Sequence, residues 1–252
     1  MTINSSGTLS MGGSTSGQSI ELELYNGGQG YNSSGTASIS MNDSAVRTLL
    51  GVSSGAISMS SAYGKSSYTP TVHIFTSSGT FTYVAGMGSI SYITVGGGGG
   101  GHGGISNAAG SGGTGGYTVT GTATISSSFT VTIGASGAGG SGGIGSGGTG
   151  ATGGTTQFSG GLTQVAPGGA GASGYSSAGL NGGNYGTTSN FLGTTYGPYG
   201  AAGAVGPSQP NTAANGTNPG DAGQGGGHGI AQYSISGSPG GNGAAGIAVI
   251  YG

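Results

Sequence analysis

Charge is nearly missing from this chain of 252 residues: lysine and arginine number 2, aspartate and glutamate 4. They are Glu21, Glu23, Asp43, Arg47, Lys65 and Asp221, and all but Asp221 precede residue 66. Neutralising several phosphates takes several basic side chains, so nucleic acid is excluded as a partner, and so is electrostatic attachment to anionic lipid. A surface this neutral is poorly protected from association, which points to life in an assembly. Cysteine is absent, which removes disulfides and thiolate metal sites. No run approaches the roughly 18 continuous apolar residues of a membrane span, so no membrane insertion is expected. The start, MTINSSGTLS, has no basic region followed by an apolar run, so no secretory signal is expected. The expectation is synthesis in a cytoplasm and export as part of a particle.

Glycine is what the chain has instead: 68 residues, roughly four times ordinary usage. Composition alone reads as disorder. The spacing argues otherwise. Gly134, Gly137, Gly140 and Gly143 recur every third residue, and Gly139, Gly142, Gly145 and Gly148 form a second such row. Three residues per turn is the period of the polyproline-II helix. A glycine row leaves one side bare, where backbones can approach and exchange hydrogen bonds. Strict Gly-X-Y is broken and proline numbers only 7, so packed polyglycine helices are expected rather than a collagen triple helix.

Between the glycine stretches lie short runs of β-branched and aromatic residues. They cover 72–76, 79–84, 89–95, 118–120, 128–133 (with Phe129, Val131 and Ile133 on one face), 155–158, 230–235 and 247–251. Many short strands with turn signals predict an all-β sandwich. Residues 1–67 differ. Ser5-Ser6-Gly7, Ser33-Ser34-Gly35 and Ser53-Ser54-Gly55 each open a short segment of alternating apolar and hydroxyl residues, a degenerate turn-then-strand repeat. Ile20, Leu22 and Leu24 alternate with Glu21 and Glu23, the pattern of a half-buried strand with solvated glutamates. One helix is expected: Asn42 or Asp43 caps it, Val46, Leu49 and Leu50 form its apolar stripe, Asp43 and Arg47 are spaced for an ion pair, and Gly51 stops it. The expected fold is mainly β. A small β-rich N-terminal module with one short helix spans 1–67, and a β-sandwich carrying polyglycine-II or loop segments spans 68–252.

Catalytic constellations are scarce. Glycoside hydrolysis needs two carboxylates about 5–10 Å apart, and Glu21 with Glu23 is the sole close pair. Asp221 sits alone in a turn-rich loop. His102 and His228 share a Gly-His-Gly context but lack a third ligand, so no metal site is assigned. No lysine follows the glycine runs, which excludes a phosphate loop, and no helix pattern follows for a dinucleotide fold. The chain is expected to be no enzyme and to need no cofactor. One segment breaks the glycine rhythm, residues 184–199, with Tyr185, Phe191, Tyr196 and Tyr199 among small polar residues. Aromatic rings beside Ser, Gly and Asn suit a recognition loop. They suit equally well a cover for the flank of the bundle or a subunit interface. Residues 207–221 form a second, turn-rich candidate tip.

Two stretches resemble known phage proteins. Met41-Asn42-Asp43-Ser44-Ala45-Val46-Arg47-Thr48-Leu49-Leu50-Gly51, then Ser54-Gly55-Ala56-Ile57-Ser58-Met59-Ser60 and Tyr63-Gly64-Lys65-Ser66, resembles a module near the start of phage tail-fibre and other virion proteins. Ser61 stands where that pattern commonly has an acid. Phe75-Thr76-Ser77-Ser78-Gly79-Thr80-Phe81-Thr82, the glycine run after Val95 and the ending Gly246-Ile247-Ala248-Val249-Ile250-Tyr251 resemble the glycine-rich domain of phage tail fibres, though Tyr83-Val84-Ala85-Gly86 lacks the usual proline. The bundle is similar in kind to the polyglycine adhesins of T4-like phages. The resemblance implies a virion tail-fibre or adhesin subunit, with a homotrimer as the default. Residues 1–67, through Asp43, Val46, Arg47, Leu49, Leu50 and Tyr63, would bind other virion proteins. Tyr185, Phe191, Tyr196 and Tyr199 would contact a host surface glycan or outer-membrane protein. A capsid decoration or head-fibre protein and a structural spacer without receptor are the alternatives within that class; an ice-binding protein is one outside it.

Overall fold

The computed structural model describes residues 2–65, 67–84, 87–176, 189–196, 213–221 and 236–252. In chain order they form α1 (Ile20–Asn26), α2 (Ser44–Leu50), a 3-10 turn (Met59–Ala62), β1 (Val72–Phe75), β2 (Gly79–Phe81), β3 (Ser89–Val95), β4 (Ala109–Gly110), β5 (Thr118–Thr124), β6 (Phe129–Thr132), β7 (Thr156–Gly160), β8 (Gln164–Ala166), β9 (Tyr175–Ser176), β10 (Ser189–Phe191), β11 (Thr194–Tyr196) and β12 (Ile247–Tyr251). The fold is mainly β. The expected strand at 230–235 lies outside the described residues, as do Tyr185 and Tyr199.

Two antiparallel four-stranded sheets, ordered β1-β12-β3-β5 and β2-β6-β7-β8, face each other. Side chains alternate faces along a strand, so Ile90, Ala248 and Ile250 of the first sheet meet Phe81, Phe129, Val131 and Phe158 of the second. Phe129 stacks on Phe81 and tilts against Phe158, each at 5.0 Å between ring centres. The opposite face of the first sheet carries Ile93, Val95, Ile247 and Val249, buried beneath the β10–β11 hairpin.

Beyond the sandwich, six strands run on into glycine. Residues 96–104 continue β3, 134–143 follow β6 and 167–174 follow β8, while 111–117, 148–154 and 237–246 lead into β5, β7 and β12. Every amide from Gly96 to Gly104 donates to another segment, and the acceptor changes in strict rotation. Gly96, Gly99 and His102 donate to Tyr117, Thr114 and Ser111; Gly97, Gly100 and Gly103 to Gly154, Ala151 and Gly148; Gly98, Gly101 and Gly104 to Ala244, Gly241 and Ser238. In return Gly137, Gly140 and Gly143 donate to Gly98, Gly101 and Gly104, and Gly169 and Ala172 to Gly97 and Gly100. All these bonds measure 2.8–3.0 Å. A period of three, with no backbone–backbone bond inside the segment and no positive φ at its glycines, is the left-handed polyproline-II helix.

Residues 96–104 are therefore the axis of a bundle with neighbours all round. Each neighbour also bonds the next: Thr114 to Ala170, Gly150 to Ala172, Ala151 to Ala138, and Gly240 to Gly140. Residues 216–221 take the sixth position beside Gly98 and close the ring through Gly116 to Gly220 and Ala244 to Asp221. Segments run in both directions, unlike collagen. The first glycine row sends its amides to the axis through Gly137, Gly140 and Gly143, and its bare side packs on the returning chain at Ala151, Gly148 and Ser146. The second packs Gly139 and Gly142 on the 237–246 segment, then breaks at the bend near Gly145, so Gly148 falls on the returning helix.

The sheets of a sandwich stand about 10 Å apart because side chains fill the gap. Where side chains stop, the layers close until backbone meets backbone. Thr156, fully buried, sits at the change-over: its Oγ1 donates to Val95 O at 2.7 Å and accepts from Gly134 N at 3.0 Å, tying one sheet to the other. Beside it Thr94 Oγ1 donates to Gln164 Oε1 at 2.9 Å.

The N-terminal module departs from its expected strands. Residues 20–26 form α1, with Ser19 Oγ accepting from Leu22 N, and Glu21 and Glu23 are fully buried. The alternation misled because each carboxylate has a polar partner inside: Glu21 Oε1 accepts from Ala37 N and Glu23 Oε1 from Ser67 N, both at 2.8 Å. Those amides come from the second repeat copy and from the junction with the sandwich. The repeat glycines do turn the chain, Gly7, Gly35 and Gly55 all having positive φ, conformations that β-carbons resist. The segments after them build no ladder among the described residues 2–65, where an isolated bridge joins Ser10 to Ser19.

Candidate functional site

Two places gather the residues singled out by sequence. In the N-terminal module, Val46, Leu49 and Leu50 lie at the predicted stripe of α2 and are buried against Ile3, Ile20, Leu24 and Ala62. They hold the module's own core, so any partner would meet the shell around them. Gly51 ends the helix in the left-handed conformation, as its position required.

Asp43 occupies the N-cap but makes no capping bond; its Oδ2 accepts from Ser40 N at 2.8 Å and from the Tyr31 hydroxyl at 3.2 Å. Burial, then the adjacent Asp43 carboxylate, raises the Tyr31 phenol above its usual range. The expected Asp43–Arg47 ion pair is not among the described contacts. Arg47 instead reaches Asn42 Oδ1 through Nε at 3.0 Å and the Gly55 carbonyl through a terminal nitrogen at 3.2 Å, strapping the loop after α2. With Asp43 turned outward from the first turn, the i,i+4 spacing no longer brings the two charges together. Tyr63, half-buried, donates to Gly7 O at 2.6 Å and ties the end of the module to its beginning.

At the hairpin, Phe191 and Tyr196 are half-buried and rest on Ile93, Val95, Ile247 and Val249. Leu192, at the turn with φ 51°, is 53% exposed. Asn190 Oδ1 accepts from Gly193 N at 3.2 Å and shapes that turn. Beside the hairpin an open groove of about 480 Å³ runs over β3 and β5, lined by Ser91, Tyr92, Thr120, Gly121, Thr122, Ser189, Asn190 and Phe191. Sequence reasoning found the rings of this site and missed its floor: Thr118, Thr120, Thr122 and Thr124 alternate through β5, and that period of two was the available signal.

The remaining candidates are structural in their geometry. His102 is buried in the bundle edge-on to Tyr175, ring centres 4.5 Å apart, while Tyr175 Oη is bonded to both the amide and the carbonyl of Gly147. His228 lies outside the described residues. Asp221 caps its own turn, Oδ2 accepting from Asn218 N at 2.7 Å and Thr217 N at 3.1 Å. Among the described residues no three metal-binding side chains cluster, and no helix is long and apolar enough to cross a membrane. No protein-family model matches the chain, and no curated protein sequence matches it.

Proposed function

We propose that the chain is a structural subunit of a phage particle, a tail fibre or adhesin. Residues 1–67 join it to other virion proteins and the glycine-rich part meets the host surface. The bundle carries this reading. A rod whose interior is hydrogen-bonded backbone is a scaffold for display; it gathers no three metal-binding side chains among the described residues and carries almost no charge. The N-terminal motif ending at Lys65 supplies the attachment, and five of the six charges belong to that part. A symmetric homo-oligomer is the expected assembly, with a homotrimer as the default for a fibre.

The test has two arms. Reconstruction of the purified particle locates the chain, and finding it on the head makes it a capsid decoration or head-fibre protein. Replacing 189–196 by glycine and serine at constant length is expected to reduce host adsorption. Unchanged adsorption favours the spacer reading, which draws on one observation: Phe191 and Tyr196 turn onto the sheet rather than outward.

A further inference from the structure

The outer face of the first sheet is divided by chemistry. Cross-strand partners share a face, so Ile93 lies with Val249, and Val95 with Ile247, in the half that the hairpin covers. The same face of β5 and the far end of β3 carry hydroxyls instead. Ser91 pairs with Thr122 and Ser89 with Thr124, while Thr120 pairs with Ile93 at the boundary. Ser89, Thr120, Thr122 and Thr124 are exposed. The hairpin thus stops where the apolar surface stops. Its edge, Ser189 to Phe191, forms the wall of the groove, and the hydroxyl half forms the floor.

We infer that this groove binds a neutral, polyhydroxylated chain, an uncharged glycan. Serine and threonine hydroxyls each donate one hydrogen bond and accept two, which matches the dual capacity of sugar hydroxyls. Thr120 and Thr122 Oγ1 and Asn190 Nδ2 make no hydrogen bond among the described residues, so these groups stand ready for a ligand. The Phe191 ring at the seam provides an apolar surface for the C–H face of a pyranose. Among the described residues no ionised side chain lines the groove. An acidic polysaccharide would gain nothing there, and binding of a neutral one is insensitive to salt. Each site forms few bonds, and repetition of the site in an oligomer would raise avidity. This inference deepens the adhesin reading and rests on it for the source of the glycan, although the binding chemistry belongs to the groove alone.

The full chain is titrated by calorimetry with neutral hexasaccharides of glucose, mannose, galactose and N-acetylglucosamine, and with a uronic-acid hexasaccharide of matched length. At least one neutral sugar is expected to bind, equally at low and high salt. Thr120→Val with Thr122→Val keeps side-chain shape and removes two hydroxyls, and is expected to weaken binding by about tenfold or more, at about 1 kcal/mol per bond. Asn190→Ala, in the wall, is the second variant if the double one melts early. The proposal is overturned if no neutral sugar binds, if the acidic sugar binds better, or if folded variants bind as wild type does. Sugar binding by the isolated chain, with particle adsorption untouched by the same substitutions, would sink the adhesin reading and leave the groove standing. Lost adsorption without sugar binding would do the reverse.

Discussion

Six of the sandwich's eight strands run on into the bundle, yet one region is held by side chains and the other by almost none. Between the sheets, Phe81, Phe129 and Phe158 pack ring on ring. A few residues along the same strands, Gly97, Gly100 and Gly103 have carbonyls from two neighbouring segments, 134–143 and 148–154, against them and no room for a β-carbon. Glycine loses the most conformational freedom on ordering and buries no side chain. The bundle offsets that cost by satisfying every amide of residues 96–104 away from water, and the sheets hold its helices in register. Dense hydrogen bonding can thus replace a hydrophobic core where a core pins the ends.

The comparison breaks most severely at the axis. A β-carbon on Gly100 would stand far inside 3.0 Å of the Ala138 carbonyl, a separation real Cβ atoms essentially never show. Since backbone cannot rotate away, Gly100→Ala is expected to cost more than about 5 kcal/mol, beyond ordinary overpacking, and to yield no folded protein by circular dichroism. Phe129→Ala in the sandwich should cost about 3–5 kcal/mol in urea melts, as ring deletions in cores do. Thr156→Val removes the hydroxyl that bridges the two sheets and leaves Val95 O and Gly134 N short of a partner; about 1–3 kcal/mol is expected in the same melts.

Two milder measurements sharpen the contrast. Amide exchange in 134–143 should follow a period of three, with Gly134, Gly137, Gly140 and Gly143 protected and the exposed Ser136, Ala138 and Ser141 exchanging fast, interrupted only at Gly139, whose amide donates to Asn242 Oδ1 at 2.8 Å. Uniform exchange through this stretch would show that the helices do not persist in solution. Gly145, at the bend, has open space where a β-carbon would go and no positive φ. Gly145→Ala should therefore stabilise by about 0.4–1 kcal/mol through the unfolded state, which a rise in melting temperature would register.

Legibility followed periodicity. Strands with alternating β-branched and aromatic residues stand where the pattern put them, β3, β6 and β12 above all. The stripe Val46, Leu49, Leu50 and the stop at Gly51 gave α2. At residues 20–26 the same logic failed. Alternation of leucine with glutamate described solvent exposure correctly only if the glutamates had no buried partner, and the amides of Ala37 and Ser67 are too distant in sequence to be anticipated. At the candidate site, the rings of Phe191 and Tyr196 were visible as composition, while the face they cover and the hydroxyl shelf beside it depend on strand order.

The threonine row of β5, the glycine rows of 134–143 and the near-absence of charge were fixed by sequence, because each is a local period or a count. Which glycine run became the axis was a tertiary decision. Gly96 to Gly101 is uniform and carries no phase, and by composition it reads as a flexible linker. It is instead among the most enclosed stretches of the molecule, because only a segment bare on all three sides can be surrounded on all of them.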